Sequence, residues 1–88
     1  MSYKFETTKK FDRDFKKLAL NAQLQIADYI EALEQLENPR AIGKELKGNR
    51  KGQWRYRTGD YRIICEIQDK NLIILALETG NRKDIYKK

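Results

Sequence analysis

The nine residues from Trp54 to Arg62, W-R-Y-R-T-G-D-Y-R, constrain the fold more than any other stretch of the chain. Aromatic and basic side chains alternate with period two on either side of a Gly59-Asp60 turn, the pattern of an antiparallel hairpin with one buried and one polar face. With Trp54, Tyr56 and Thr58 on one side of the first strand, Arg55 and Arg57 fall on the other. The next strand, from Tyr61, directs Tyr61, Ile63, Cys65 and Ile67 to the core and brings Arg62 onto the face of the first two arginines. Three guanidiniums are then expected on one open sheet surface. Guanidiniums repel one another, stay protonated at neutral pH and match phosphate through bidentate hydrogen bonds, so the pattern points to a polyanion. The blander alternative is the solvated face of a half-buried sheet, where charge is ordinary.

The rest of the chain supplies a frame for this hairpin. Tyr3 to Thr7 alternates as a short strand, and Thr7 or Thr8 is placed to N-cap a helix running to about Ala19, with Phe11, Phe15 and Leu18 on its apolar face. Lys9, Lys10, Arg13, Lys16 and Lys17 form its basic flank. Asn21 is the expected N-cap of a longer helix with Ile26, Ile30, Leu33 and Leu36 as its buried stripe, ending near Asn38-Pro39 because proline disfavours helix in the preceding residue. From Arg40 to Gln53 the apolar period fails and Gly43, Gly48 and Gly52 stand among lysines, which predicts a loop. Strands follow near Trp54 to Thr58, Tyr61 to Gln68 and Leu72 to Thr79. The run L-I-I-L-A-L-E-T is apolar on both faces, as a central strand must be. The order β-α-α-β-β-β predicts one α+β domain over residues 1–88, a helical hairpin packed on a small, mainly antiparallel sheet with the first strand added at one edge.

Composition narrows the chemistry. The chain has no histidine, which removes Ser-His and Cys-His nucleophile pairs and zinc sites of ordinary composition. Any catalysis falls to Arg, Lys, Tyr, Asp or Glu. A single cysteine, Cys65, sits in an apolar strand, excludes a disulfide framework and suits a reducing cytoplasm. Neither a membrane-spanning apolar run nor a signal-peptide pattern is visible, so a cytoplasmic protein without a membrane partner is expected. The net charge of +6 is uneven. Residues 44–62 hold seven basic side chains against two acidic ones, whereas Asn21 to Asn38 carries Asp28, Glu31, Glu34 and Glu37 and no basic residue. Such polarity favours oriented approach to a nucleic acid.

L-K-G-N-R at 46–50, W-R-Y-R-T-G-D-Y-R at 54–62 and L-E-T-G-N-R-K-D-I-Y at 77–86, in this order of elements, resemble the RelE toxins of bacterial type II toxin-antitoxin systems, within the RelE/ParE superfamily. The resemblance implies a metal-independent endoribonuclease, without cofactor, that enters the ribosomal A site and cuts messenger RNA by activating a ribose 2′-hydroxyl. It further implies inhibition by a cognate RelB-like antitoxin. Carried over by position, Arg55 and Arg57 take the place of the family's basic pair, Arg62 that of the arginine opening the next strand, Arg82 that of the arginine after the last strand, and Tyr86 that of the tyrosine near the carboxyl end. Lys47, Arg50, Lys51 and Lys83 would contact nucleic acid. Two departures stand out. The basic pair is often lysine in relatives, and arginine is a poor proton acceptor; many relatives also read G-H-R where this chain has Gly80-Asn81-Arg82. Two other classes compete: a ParE-like inhibitor of DNA gyrase, and a non-catalytic nucleic-acid-binding module.

Overall fold

A computed structural model describes residues 2–81. Strand β1 (Lys4–Thr7) leads into helix α1 (Lys9–Lys16) and helix α2 (Leu20–Glu34), followed by β2 (Lys44–Glu45), a 3-10 turn (Gly48–Arg50), β3 (Trp54–Thr58), β4 (Tyr61–Gln68) and β5 (Ile73–Asn81). The sheet order is β1-β5-β4-β3-β2. All neighbours are antiparallel except β1 and β5, which run parallel. The α+β class, the helical hairpin, the hairpin strands β3 and β4 and the central place of β5 match the expectations above.

Differences lie at the element ends and in the loop. Thr8 caps α1 by accepting the Phe11 N–H at 3.2 Å, but the helix ends at Lys16 rather than near Ala19. Helix α2 starts at Leu20 behind Ala19, with no side-chain cap, so Asn21 is a helical residue and not the N-cap. It stops at Glu34, where the chain tightens through Leu36 N–H to Leu33 carbonyl, four residues short of Asn38. The glycine-rich stretch holds a two-residue strand and a 3-10 turn in place of an unbroken loop.

The helices cover one face of the sheet. Phe11, Ile26 and Leu33 meet Tyr56, Ile63, Cys65, Ile74 and Ala76 in a single buried cluster, with Trp54 and Tyr61 packed at its margin. Each large side chain fully buried there contributes about 1.5–3 kcal/mol. Tyr56 is fully buried and donates its hydroxyl to the Pro39 carbonyl at 2.5 Å, which fastens the end of the helical hairpin to β3. Desolvation raises the Tyr56 phenol and the Cys65 thiol well above their ordinary ranges, so both are inert packing groups at neutral pH. On the surface Asp69 accepts a bidentate pair from Arg40 at 2.8 and 3.1 Å and the Tyr3 hydroxyl at 2.7 Å, joining three segments. Among the described residues no helix is long and apolar enough to cross a membrane.

Candidate functional site

The β3–β4 hairpin closes through Gly59, whose φ of +60° as first central residue is the type II′ pattern that matches strand twist. This turn sets the register, and the register sets the site. Across the strands Lys44, Arg55, Ile64 and Glu78 align in one row, and Arg57, Arg62 and Gly80 in the next. Facing residues share a sheet face, and these rows lie opposite the face that carries Tyr56, Ile63 and Cys65. The three arginines are therefore brought onto one side, opposite the main core cluster.

They are not equally open. Arg57 is exposed, Arg55 is half-buried and Arg62 is only 3% exposed. The expected open surface of three guanidiniums is thus corrected: alternation assigns a face, and here part of that face is covered. Ile64, on the same face, is fully buried as well and lies outside the main core cluster. The Arg62 backbone is held by the Thr79 hydroxyl, which donates to its carbonyl at 2.7 Å. Arg57 faces Arg62 directly across the pair, so the two side chains leave the sheet from Cβ atoms about 4.5–5.5 Å apart.

Glu78 is the residue that sequence reasoning missed. The β4–β5 register slips between Ile64 and Cys65, leaving Leu77 as an extra residue in β5. Before the slip Ile74 and Ala76 face the core; after it Thr79 does, and Glu78 joins the arginine side. Simple alternation from Ile74 would have put Glu78 in the core. Its carboxylate accepts a hydrogen bond from Arg50 Nη2 and lies 3.5 Å from Lys10 Nζ. Lys10 in turn bonds Asp14 at 3.0 Å, the main cause of the upward shift of its ammonium. Arg50, expected to contact nucleic acid, is accordingly engaged with Glu78 and with Gln53 at 3.1 Å. Lys47 and Lys51 flank it and are exposed. Arg82, Lys83 and Tyr86 lie outside the described residues. Among the described residues no three Asp, Glu or Cys side chains converge as a metal-binding set.

At the β3 edge the first row ends in a pocket of about 390 Å³ lined by Tyr29, Ile42, Gly43, Lys44, Arg55 and Arg57. It opens because β2 pairs only with Trp54 and Arg55 and leaves Arg57 uncovered. Gly43, at φ +87°, diverts the chain there. Desolvation raises the Tyr29 phenol, and a hydrogen bond with the Arg57 backbone opposes that shift.

Comparison with known proteins places this arrangement. The chain is 28% identical over 89 residues to Toxin RelG of Mycobacterium tuberculosis (strain ATCC 25618 / H37Rv), covering 100% of both chains. It is similar in fold to a chain of the toxin-antitoxin complex RelBE2 from Mycobacterium tuberculosis, with a TM-score of 0.84, 24% identity and 93% of each chain covered. The isolated E. coli RelE toxin shares the fold at a TM-score of 0.74 and 18% identity, over 97% of this chain and 92% of that one. Residues 5–86 match the family described as ParE toxin of type II toxin-antitoxin system, parDE. The chain therefore belongs to the ParE toxin family, as a toxin of a type II toxin-antitoxin system in the RelE/ParE superfamily.

Proposed function

We propose that this toxin is an endoribonuclease that cuts messenger RNA in the ribosomal A site and so stops translation. The observation that carries the proposal is the strand register, which sets Arg55, Arg57 and Arg62 on two adjacent rows of one sheet face. In-line attack by a ribose 2′-hydroxyl on the adjacent phosphorus forms the P–O2′ bond of a 2′,3′-cyclic phosphate and breaks the P–O5′ bond, the hydroxyl proton ending on the leaving 5′-oxygen, and it builds negative charge on the phosphorane between. Fixed cations beside that charge are each worth about 10²- to 10³-fold in rate. The guanidiniums stay protonated, so they act as electrostatic stabilisers and not as bases. Burial of Arg62 and the Thr79 clamp on its backbone hold one guanidinium in place before substrate arrives, while exposed Arg57 is free to meet phosphate from solvent. Arg82 and Tyr86 complete the proposed machinery as a further cation and as a stacking or proton-transfer group, with Lys47, Lys51 and Lys83 guiding RNA. A cognate antitoxin of RelB type holds the toxin inactive; the archaeal RelE-RelB complex of Pyrococcus horikoshii OT3, 26% identical with a TM-score of 0.70, supports that partner.

The match to the ParE description favours a second reading, inhibition of DNA gyrase without RNA cleavage. Translation in a reconstituted ribosomal system, followed by primer extension on the message, separates the two. Cuts within codons on ribosomes are expected. An intact message together with inhibited DNA supercoiling would transfer the proposal to the gyrase reading.

A further inference from the structure

The pocket at the β3 edge combines two chemistries that the arginine rows alone do not. Lys44, Arg55 and Arg57 bring three cations to its lining, Tyr29 and Ile42 form an apolar wall, and among the described residues no acidic side chain lines it. Its volume of about 390 Å³ lies within the range of small-molecule sites. The rim is held in position: Trp54 Nε1 donates to the Ile42 carbonyl at 2.9 Å, and the Arg40 guanidinium sits 5.9 Å from the Trp54 ring centre. A Cβ at Gly43 would lie 2.4 Å from Trp54 Nε1 and 2.6 Å from the Arg55 carbonyl, so chain and indole are packed to contact. Ile42 nevertheless remains 41% exposed, an aliphatic side chain offered to solvent beside three positive charges.

We propose that this pocket is a ribonucleotide subsite, taking the nucleotide next to the bond that is cut, with its phosphate on Lys44, Arg55 and Arg57 and its base against Tyr29 and Ile42. The proposal rests on the ribonuclease reading and adds to it a place where base identity is sensed. Single-stranded RNA offers an unstacked base and a phosphate together, which is the combination that this lining complements. An acidic peptide would satisfy the cations and leave the apolar wall unused.

The test titrates the ¹⁵N-labelled full chain with the four nucleoside 3′-monophosphates, the free nucleosides and inorganic phosphate. At least one nucleotide should shift the amides of Tyr29, Ile42, Gly43, Lys44, Arg55 and Arg57 saturably, and bind about tenfold more tightly than inorganic phosphate. Lys44→Glu should weaken nucleotide and phosphate alike. Ile42→Asn, a neutral change at a half-exposed loop position, should weaken the nucleotide about tenfold and leave phosphate binding nearly unchanged. Equal affinity for phosphate and every nucleotide, shifts confined to other residues, or no effect of Ile42→Asn would each overturn the subsite. Nucleotide binding without message cleavage on ribosomes would support the subsite while removing the nuclease. Cleavage whose codon preference is unaltered by Ile42→Asn would keep the nuclease and overturn the subsite.

Discussion

Replacing Gly43 by alanine should cost far more than its single methyl group suggests. Two independent penalties act at this position. A φ of +87° is unfavourable for any residue with a Cβ, at about 1–2 kcal/mol. The added carbon would also meet Trp54 Nε1 at 2.4 Å and the Arg55 carbonyl at 2.6 Å, and the second of these is backbone within a sheet that cannot give. Overpacking of this kind costs about 1–3 kcal/mol. Gly48 separates the two, because its φ of +68° imposes a similar conformational penalty while a Cβ there meets nothing within 4 Å. Gly43→Ala should therefore be less stable than Gly48→Ala by about 1–3 kcal/mol, a large share of the roughly 4–13 kcal/mol expected for a domain of this size. Equilibrium urea unfolding followed by the fluorescence of Trp54, the single tryptophan, reports both stability and local geometry. At an m-value of about 1 kcal/mol/M the two midpoints should differ by about 1–3 M. Folded Gly43→Ala should also emit at longer wavelength, since the indole must give up its bond to the Ile42 carbonyl. Coincident midpoints and unchanged emission would refute the packing argument.

Arg57→Ala should abolish growth arrest with thermal stability changed by less than about 0.5 kcal/mol, whereas Arg62→Ala should lose activity and also more than about 1 kcal/mol, because its buried stem is packing as well as charge; equal melting temperatures would show that the burial of Arg62 is energetically idle. Glu78→Gln should destabilise by about 1–3 kcal/mol and release Arg50 to phosphate, steepening the dependence of log K on log salt for single-stranded RNA by about 0.7, measured by fluorescence anisotropy. Tyr56→Phe leaves the Pro39 carbonyl without its buried donor and should cost about 1–2 kcal/mol in urea unfolding. Asp69 is held below the ordinary aspartate range, first by Arg40 and then by Tyr3, so its contribution is present at neutral pH and fades as the pH falls below about 3.9 and through the depressed folded-state value; the stability difference between the native chain and Asp69→Asn should vanish over that acid range and not between pH 6 and 8.

The hairpin was legible to the residue, since strong period-two alternation and a Gly-Asp turn leave β3 and β4 little choice of phase. Helix ends were less so. Asn21 is a good cap by chemistry, yet tertiary packing of Ala22 and Ile26 begins α2 at Leu20 without any side-chain cap. Strand β2 is too short to show a period. The burial of Arg62 had a signal: Ile63, Ile64 and Cys65 are consecutive apolar residues, and such a run means that both faces of the strand are covered. Alternation by itself assigns only one of those two faces to the core. Glu78 was hidden for a different reason, because a bulge inverts the phase of a strand without leaving a mark in its hydrophobicity.

The two-residue length of β2 also bears on how the toxin survives in concentrated solution. Past Arg55 the outer side of β3 is effectively a sheet margin, and exposed backbone on such a margin invites pairing with another chain. Here that margin carries Lys44, Arg55 and Arg57, so a second copy approaching strand to strand would set like charges against one another. At physiological ionic strength the repulsion reaches only about 8 Å, enough to guard a strand edge and too short to keep whole molecules apart. The charges suited to phosphate thus also keep the sheet from extending into a neighbour. Any polyanion that neutralises them takes that protection away, unless it covers the edge itself.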